Sequence, residues 1–539
     1  MKKELTIGAR RRLFLTFILM LSVYAADILY IWRKGLYLLN SDAVSEMILA
    51  KRLDRDGDLI LSNGWYYSSE LRVVNTQLVY RIGFAVFPNN WMAAKTLSVA
   101  IFLLFFILCA FLLAYAIRRI ELAPFLATVL IAPYSDWYGW NVILNSYYIP
   151  HIGFTIISIS LFILCVSPEW RMRISAPVRR VLAILLLVVA FTACLGGLRQ
   201  MMICYIPLWC AAVEYFLLHH REDHSLKDKL RIPVLASVYA IIGLAGYEIN
   251  NTILHQHYHF ATQSETIWSA FDLNRVITCM GDLISLFGWN DSDVHIMSPG
   301  GVANLCSLII VLLGIIGFVL TLTKKKLSAE EELLEIFSVT AFAILLVVYS
   351  FTDTYNESYW TVFLPLAFTG ILILFVHLRD ELYRIILPVT LAVMVLLCSL
   401  NTMRHPYISW VPNDTAQIAL GDWLKTSGYT QGYATFWDSN ILTALTDGQV
   451  EMWTINDVND LMSIYPWLQS VDHSVQMPEG KFFIVRAAKD AEDEDLTMQN
   501  IIHYTMENLI YQDESYLVYG FDSVQDYQEK MAQILSWTK

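Results

Sequence analysis

Two acidic residues, Asp42 and Glu46, are the first feature of this sequence that could do chemistry. They stand four residues apart, so a helix would place them on one face. A carboxylate beside an acceptor hydroxyl can take its proton as a general base. Held close together, the pair would raise one pKa by mutual repulsion or attract a divalent cation. The structural alternative for Asp42 is helix N-capping, a role Asp commonly fills.

Basic and polar residues elsewhere could complement these carboxylates. Arg199 lies in Gly196-Gly197-Leu198-Arg199-Gln200, between two apolar runs. Glycine lets a backbone approach a ligand closely, and the planar guanidinium fork suits phosphate; the alternative is an arginine snorkelling to the interface. Arg72, in Ser69-Glu70-Leu71-Arg72, is a second phosphate candidate with Glu70 beside it, the alternative being a surface ion pair. Tyr147 and His151 flank Tyr148-Ile149-Pro150 at the start of an apolar run and could contact phosphate or sugar. For His151 the alternative is a hydrogen-bonded interfacial histidine. Asp353, Asn356 and Glu357 share the loop Thr352–Tyr359. Their carboxylates and amide are natural partners for sugar hydroxyls, although a plain solvated loop would look the same. His255, His257 and His259 alternate as they would on one strand face, but no second ligand group accompanies them. No metal ligands are assigned, and a divalent cation is admitted only at the carboxylate pair.

The elements that must position these residues are mostly apolar helices. Of 539 residues, 56% are hydrophobic and 16% charged, with a mean hydropathy of +0.48. Soluble domains run nearer half apolar and about a quarter charged. A membrane span needs about 20 mostly apolar residues, and about eleven such runs are present. They lie near 12–32, 92–117, 120–133, 149–167, 181–197, 200–218, 232–249, 302–322, 334–351, 360–377 and 384–402. The third is short, and only Leu198-Arg199 separates the fifth from the sixth. The first could also be read as a signal peptide ending near Ala25-Ala26, but it stays apolar through Ile28–Trp32.

Lys and Arg in short loops set the orientation. With the N-terminus inside, the inner segments hold Arg118-Arg119, Arg171, Arg173, Arg179, Arg180 and Lys324-Lys325-Lys326, whereas the short outer loops hold essentially Arg199 and Arg275. This predicts a multi-pass protein of the plasma membrane with a cytoplasmic N-terminus. Loop 33–91 and the C-terminal part would be extracytoplasmic. In that loop, residues 42–54 and 69–87 read as amphipathic helices lying at the membrane surface.

The chain thus divides into a transmembrane domain, 1–402, and an extracytoplasmic domain, 403–539. Residues 403–539 carry 20 acidic and 7 basic side chains out of a net charge of −12 for the chain. That balance argues against a nucleic-acid partner and against an electrostatic grip on anionic lipid. The domain reads as α/β. Helices are expected at 416–427, 438–445 and 496–511, and strands at 433–437, 450–455, 481–487 and 516–521. The eight cysteines fall almost wholly in apolar runs, where cysteine acts as a small hydrophobe.

One span, a long outer loop opening with an acidic residue (Asn40-Ser41-Asp42), an amphipathic helix, many further spans and an outer C-terminal domain together resemble the GT-C superfamily of membrane glycosyltransferases. That group includes protein mannosyltransferases, aminoarabinose transferases of lipid A and oligosaccharyltransferases. The resemblance implies an α-helical polytopic membrane fold and transfer of a sugar from a polyprenyl-phosphate donor outside the cytoplasm. It also implies a catalytic role, as base or metal holder, for the early acidic residue, here Asp42. Protein mannosyltransferases carry an adjacent Asp-Glu pair; this sequence has Asp42-Ala43, with Glu46 one turn on. The implied partners are a polyprenyl-phosphate-linked sugar, the lipid bilayer and a glycan, glycolipid or protein acceptor. Two rival readings remain open at this point: a lipid-linked sugar flippase or transporter, and a non-catalytic envelope assembly protein with a transferase-like fold.

Overall fold

The computed structural model describes residues 7–68, 71–219, 226–260, 267–289, 294–324, 327–353, 355–378, 383–404, 414–488 and 506–537. Among them, nine helices are long and apolar enough to cross a membrane: Leu13–Leu38, Trp91–Ala116, Ile149–Val166, Ala176–Cys194, Met201–His219, Lys229–His257, Pro299–Thr323, Ala329–Phe351 and Ile386–Arg404. Two shorter apolar helices, Ile120–Ile131 and Leu364–Val376, occupy the remaining expected spans. At 1.5 Å per residue each is about 18–20 Å long, short of a bilayer core of about 30 Å. They are nearly wholly enclosed by other helices, Phe125 to Ile131 and Leu364 to Phe375 being buried. Protein therefore surrounds them, and they need not match the lipid thickness. Close approach is local: a Cβ on Gly317 would stand 2.7 Å from the Gly370 backbone, the kind of small-residue crossing that packs membrane helices.

The first loop behaves differently from its expected surface-lying form. The helix Ser41–Asp56 is capped at its start by Asn40, whose side chain accepts from the Ala43 N–H, and ends at Gly57 with φ 75°. Its apolar side, Val44, Met47 and Ala50, does not face lipid. It is buried with Leu420, Leu424, Ile441 and Leu445 of the C-terminal region. The amphipathic pattern showed that one face is buried; the tertiary fold supplied protein to cover it. Among the described residues of the second expected helix, Gln77–Val86 is helical, and it packs on the span Trp91–Ala116, where Ser98 Oγ reaches the Val79 carbonyl.

The strands are β1 (Trp65–Tyr67) in the first loop, β2 (His259–Phe260), and in the C-terminal region β3 (Gln431–Ala434), β4 (Glu451–Thr454), β5 (Gln469–Ser470), β6 (Phe482–Ala487), β7 (Leu509–Gln512) and β8 (Tyr516–Phe521). They form a three-stranded sheet in the order β2-β1-β5 and a five-stranded sheet in the order β4-β3-β6-β8-β7. β3 and β4 are parallel and joined through the helix Phe436–Leu445, the crossover that parallel neighbours require. The predicted helix at 496–511 is not found where it is described: residues 506–508 form a single 3-10 turn and 509–512 form edge strand β7 against β8. Its remaining residues lie outside the described ones.

The small sheet ties the C-terminal region to the first loop. Trp65 pairs with Ser470, and Tyr66 with Gln469. Arg52 of the loop helix bonds Asp472 at 2.7 Å. The Asp447 carboxylate accepts from the Trp91 N–H at 3.0 Å, at the first residue of a membrane helix. These contacts bring residues about four hundred positions apart to one surface.

Candidate functional site

The start of the helix Ser41–Asp56 decides where the carboxylates point. Asn40, not Asp42, is the cap, accepting from Ala43 N–H at 2.8 Å and from the Tyr147 hydroxyl at 3.1 Å. Asp42 is therefore spared the capping role and turns its carboxylate into a cavity of ≈ 230 Å³, shared with Glu46, Arg72, Tyr147 and Arg199. Its place in the first helical turn favours negative charge there. Glu46 is held by the Thr76 hydroxyl at 3.1 Å and by a backbone N–H of Gln77.

Burial dominates the electrostatics of the pair. It raises Asp42 to about 6, with Arg72 opposing the rise and Glu46 adding to it. Burial likewise raises Glu46, against Arg72, Thr76 and Gln77. At pH 7 Asp42 is thus roughly nine-tenths ionised while close to the pKa that suits a general base. Burial, with Asp42 adding to it, holds the Tyr147 phenol well above its usual range, so it stays a neutral donor.

Arg199 follows a tight turn between the spans Ala176–Cys194 and Met201–His219, in which Gly197 adopts φ 114°. That conformation is open to glycine and strained for other residues. The guanidinium lies 5.4 Å from the Tyr148 ring and 4.9 Å from the Tyr359 ring, within cation–π range. Next to the polar cavity is a second one of ≈ 360 Å³, walled by apolar side chains such as Leu198, Met202, Leu345 and Val362. Arg199 and Tyr148 line both. A cation therefore stands where a carboxylate-lined space meets an apolar one, the arrangement an amphiphile with a phosphate between a polar head and a hydrocarbon tail would fit.

Of the residues singled out from sequence, Asp42, Glu46, Arg72, Tyr147 and Arg199 converge on the polar cavity. The others do not. His151 is buried beside it, its Nδ1 3.2 Å from Gln200 Oε1. Asp353 accepts from the Ile267 N–H at 3.0 Å. Asn356 caps the 3-10 turn Glu357–Val362 through the Ser358 N–H at 2.9 Å. Backbone N–H groups thus engage Asp353 and Asn356, and the loop lends Thr352 and Tyr359 to the apolar cavity. Glu70 lies outside the described residues. The three histidines do not share a strand face, because His255–His257 is a helical turn and only His259 enters β2.

The site also holds residues that sequence reasoning had not selected. Ser68 and Tyr148 line the cavity, as do Trp467 and Leu468 from the C-terminal region. Leu468 has φ 50°, a sparsely populated conformation for a branched residue. Trp467 and Leu468 reach the site only because the following strand, β5, pairs with β1, and no local signal marks them.

No protein-family model matches the chain, and no curated protein matches it. Solved structures do match. The crystal structure of ArnT from Cupriavidus metallidurans bound to undecaprenyl phosphate is 12% identical, with a TM-score of 0.57 over 93% of this chain and 97% of that one. Its apo form gives 0.56 at the same identity and coverage. The oligosaccharyltransferase of Archaeoglobus fulgidus in its apo form is 10% identical, with a TM-score of 0.49 over 87% of this chain and 70% of that one. At such identities the likeness is one of fold: the chain is a multi-pass membrane protein with the GT-C fold.

Proposed function

We propose that the chain is a membrane glycosyltransferase that moves a sugar from a polyprenyl-phosphate donor to an acceptor hydroxyl on the extracytoplasmic side. The observation that carries this reading is the junction at Arg199 and Tyr148, where the carboxylate-lined cavity meets the apolar one. The structural likeness to a protein solved with undecaprenyl phosphate supports the donor class. The imbalance of Lys and Arg between the loops supports a cytoplasmic N-terminus, with residues 403–539 outside as a separate domain.

In this reading the apolar cavity receives the first isoprenoid units and Arg199 meets the phosphate. Asp42 takes the proton of the acceptor hydroxyl as its oxygen bonds to the anomeric carbon. The bond from that carbon to the phosphate oxygen breaks, and the polyprenyl phosphate leaves with its charge balanced by Arg199. Arg72 lowers and Glu46 raises the pKa of Asp42, so in this reading both act through Asp42. Among the described residues no three His, Cys, Asp or Glu side chains gather as a metal site. The charge that a cation would supply beside Asp42 and Glu46 is supplied by Arg72. The described residues therefore do not favour a metal. A non-catalytic scaffold would be expected to have a filled space at Asp42, whereas this one measures ≈ 230 Å³.

The test is release of radiolabelled sugar from a panel of polyprenyl-phosphate sugars by purified protein, wild type against Asp42→Asn. Loss of about 10²-fold or more in a folded variant is expected for removal of a general base. Unchanged activity in the variant would discard Asp42 as the base. Wild-type protein that neither binds nor cleaves any donor would overturn the transferase reading, and translocation of intact donor without cleavage would favour a flippase.

A further inference from the structure

A third cavity, of ≈ 440 Å³, lies between the helix Ser41–Asp56 and the C-terminal region. It is within the range of small-molecule sites, about 300–1,000 Å³. It uses a different face of the loop helix from the carboxylate site: Lys51, Arg52 and Arg55, against Asp42 and Glu46. The β1–β5 ribbon separates the two, with Ser68 and Leu468 on one side and Trp65 and Ser470 on the other. Leu468 and Ser470 are two residues apart in the chain, so the two cavities lie close to each other across the ribbon.

The arginines that line this cavity are already paired within the protein. Arg52 bonds Asp56 and Asp472, each at 2.7 Å. Arg55 lies 3.3 Å from Asp56 and 3.7 Å from Asp472. Lys51 donates to the Pro88 carbonyl at 2.7 Å, and Glu451 meets His473 at 3.1 Å. The Asp447 carboxylate holds the Trp91 N–H. With Asp56 and Asp472 beside them, the three cations Lys51, Arg52 and Arg55 meet four carboxylates, the others being Asp447 and Glu451, so the cavity repels an anion and suits a neutral ligand. Hydrogen-bonding capacity nevertheless remains. Asn440, 2% exposed, gives its amide N–H to the Leu468 carbonyl at 3.0 Å. Among the described residues its carbonyl oxygen has no protein partner, and neither does the Thr443 hydroxyl; both residues line the cavity. Ion pairs offer charge-assisted bonds to hydroxyls, and Ile48, Trp65 and Met452 give an apolar wall for C–H faces.

We infer that this cavity binds an uncharged saccharide unit of the acceptor, which would lie across the β1–β5 ribbon with its reacting hydroxyl at Asp42. The acceptor class is then an oligosaccharide. The inference rests on the transferase reading for its purpose, but its binding test does not.

The experiment uses the full chain in detergent with glucose, mannose and N-acetylglucosamine and their linear oligomers, read by saturation-transfer NMR. Thr443→Trp fills the cavity, and Thr443→Val removes the hydroxyl while keeping the shape. Binding of one oligomer series by wild type, weakened at least tenfold by Thr443→Trp and several-fold by Thr443→Val, is the expected result. Donor cleavage without acceptor should be unchanged in both variants. Wild type that binds none of these sugars, or folded variants that bind them as wild type does, would overturn the inference. If Thr443→Trp fails to fold, Thr443→Val decides. Sugar binding without cleavage of any donor would count against the transferase reading and leave the cavity a sugar site.

Discussion

Lowering the pH from 7 to 5 should slow sugar release about tenfold, because Asp42 must be ionised to accept a proton. With its pKa near 6, the ionised fraction falls from roughly nine-tenths to roughly one-tenth over that interval. Arg72 is the group that opposes the rise at Asp42. Replacing it in Arg72→Met removes that opposition, so the inflection should move upward, by about one to two units for an opposite charge at this range. Activity of the variant at pH 7 would then be about two- to tenfold below wild type and would recover to the wild-type level by about pH 9. The assay is initial-rate release of labelled sugar under saturating donor from pH 5 to 9.5, with folding checked at each end. A flat wild-type profile would refute Asp42 as the titrating base. A loss in Arg72→Met that alkaline pH does not restore would show that Arg72 acts on the phosphate and not through the carboxylates.

Asp42→Asn should raise thermal stability even as it removes activity. Asp42 has a folded pKa above its ordinary value of 3.8, so its ionised form costs stability. That cost is absent below pH 4, grows as pH rises and is complete above pH 6, about 2–3 kcal/mol before allowance for its partial exposure. Melting curves at pH 7.5 and 5 should show a larger gain for the variant at 7.5; a gain that is larger at pH 5 would contradict the sign. Arg199→Ala should lower kcat/KM by about 10²- to 10³-fold. Arg199→Lys should restore only part of it, since an ammonium lacks the planar fork that meets phosphate. Affinity for undecaprenyl phosphate should fall in parallel, and unaltered lipid affinity would remove Arg199 from the phosphate site. Gly197→Ala forces a side chain into φ 114° and should cost about 1–3 kcal/mol of local strain. Its signature would be weakened donor binding with the pH profile unmoved, and donor binding equal to wild type would show that the turn does not set Arg199.

The sequence by itself determined the parts that rest on short-range pattern. Apolar runs marked the membrane helices, because hydrocarbon excludes an unpaired backbone and forces such runs into helix. A continuous apolar run marked β8, which forms at the predicted Tyr516–Phe521 with every residue buried, and the apolar period located the helix containing Asp42 and Glu46. What covers a buried face was not legible, since protein and lipid tails are equally apolar: Val44 and Met47 were expected to meet lipid and meet Leu420 and Leu445 instead. Nor was the fate of short polar side chains. Asn356 and Asp353 look like ligands in a loop, and each also accepts from a nearby backbone N–H. Two of the expected spans are short helices enclosed by their neighbours, a burial that an apolar sequence does not distinguish from lipid contact. Only the tertiary structure brought Arg199 and Tyr148 to the border of two cavities and set Trp467 and Leu468 against Asp42. That second arrangement depends on the pairing of β1 with β5, a contact across about four hundred residues that carries no trace in either segment alone.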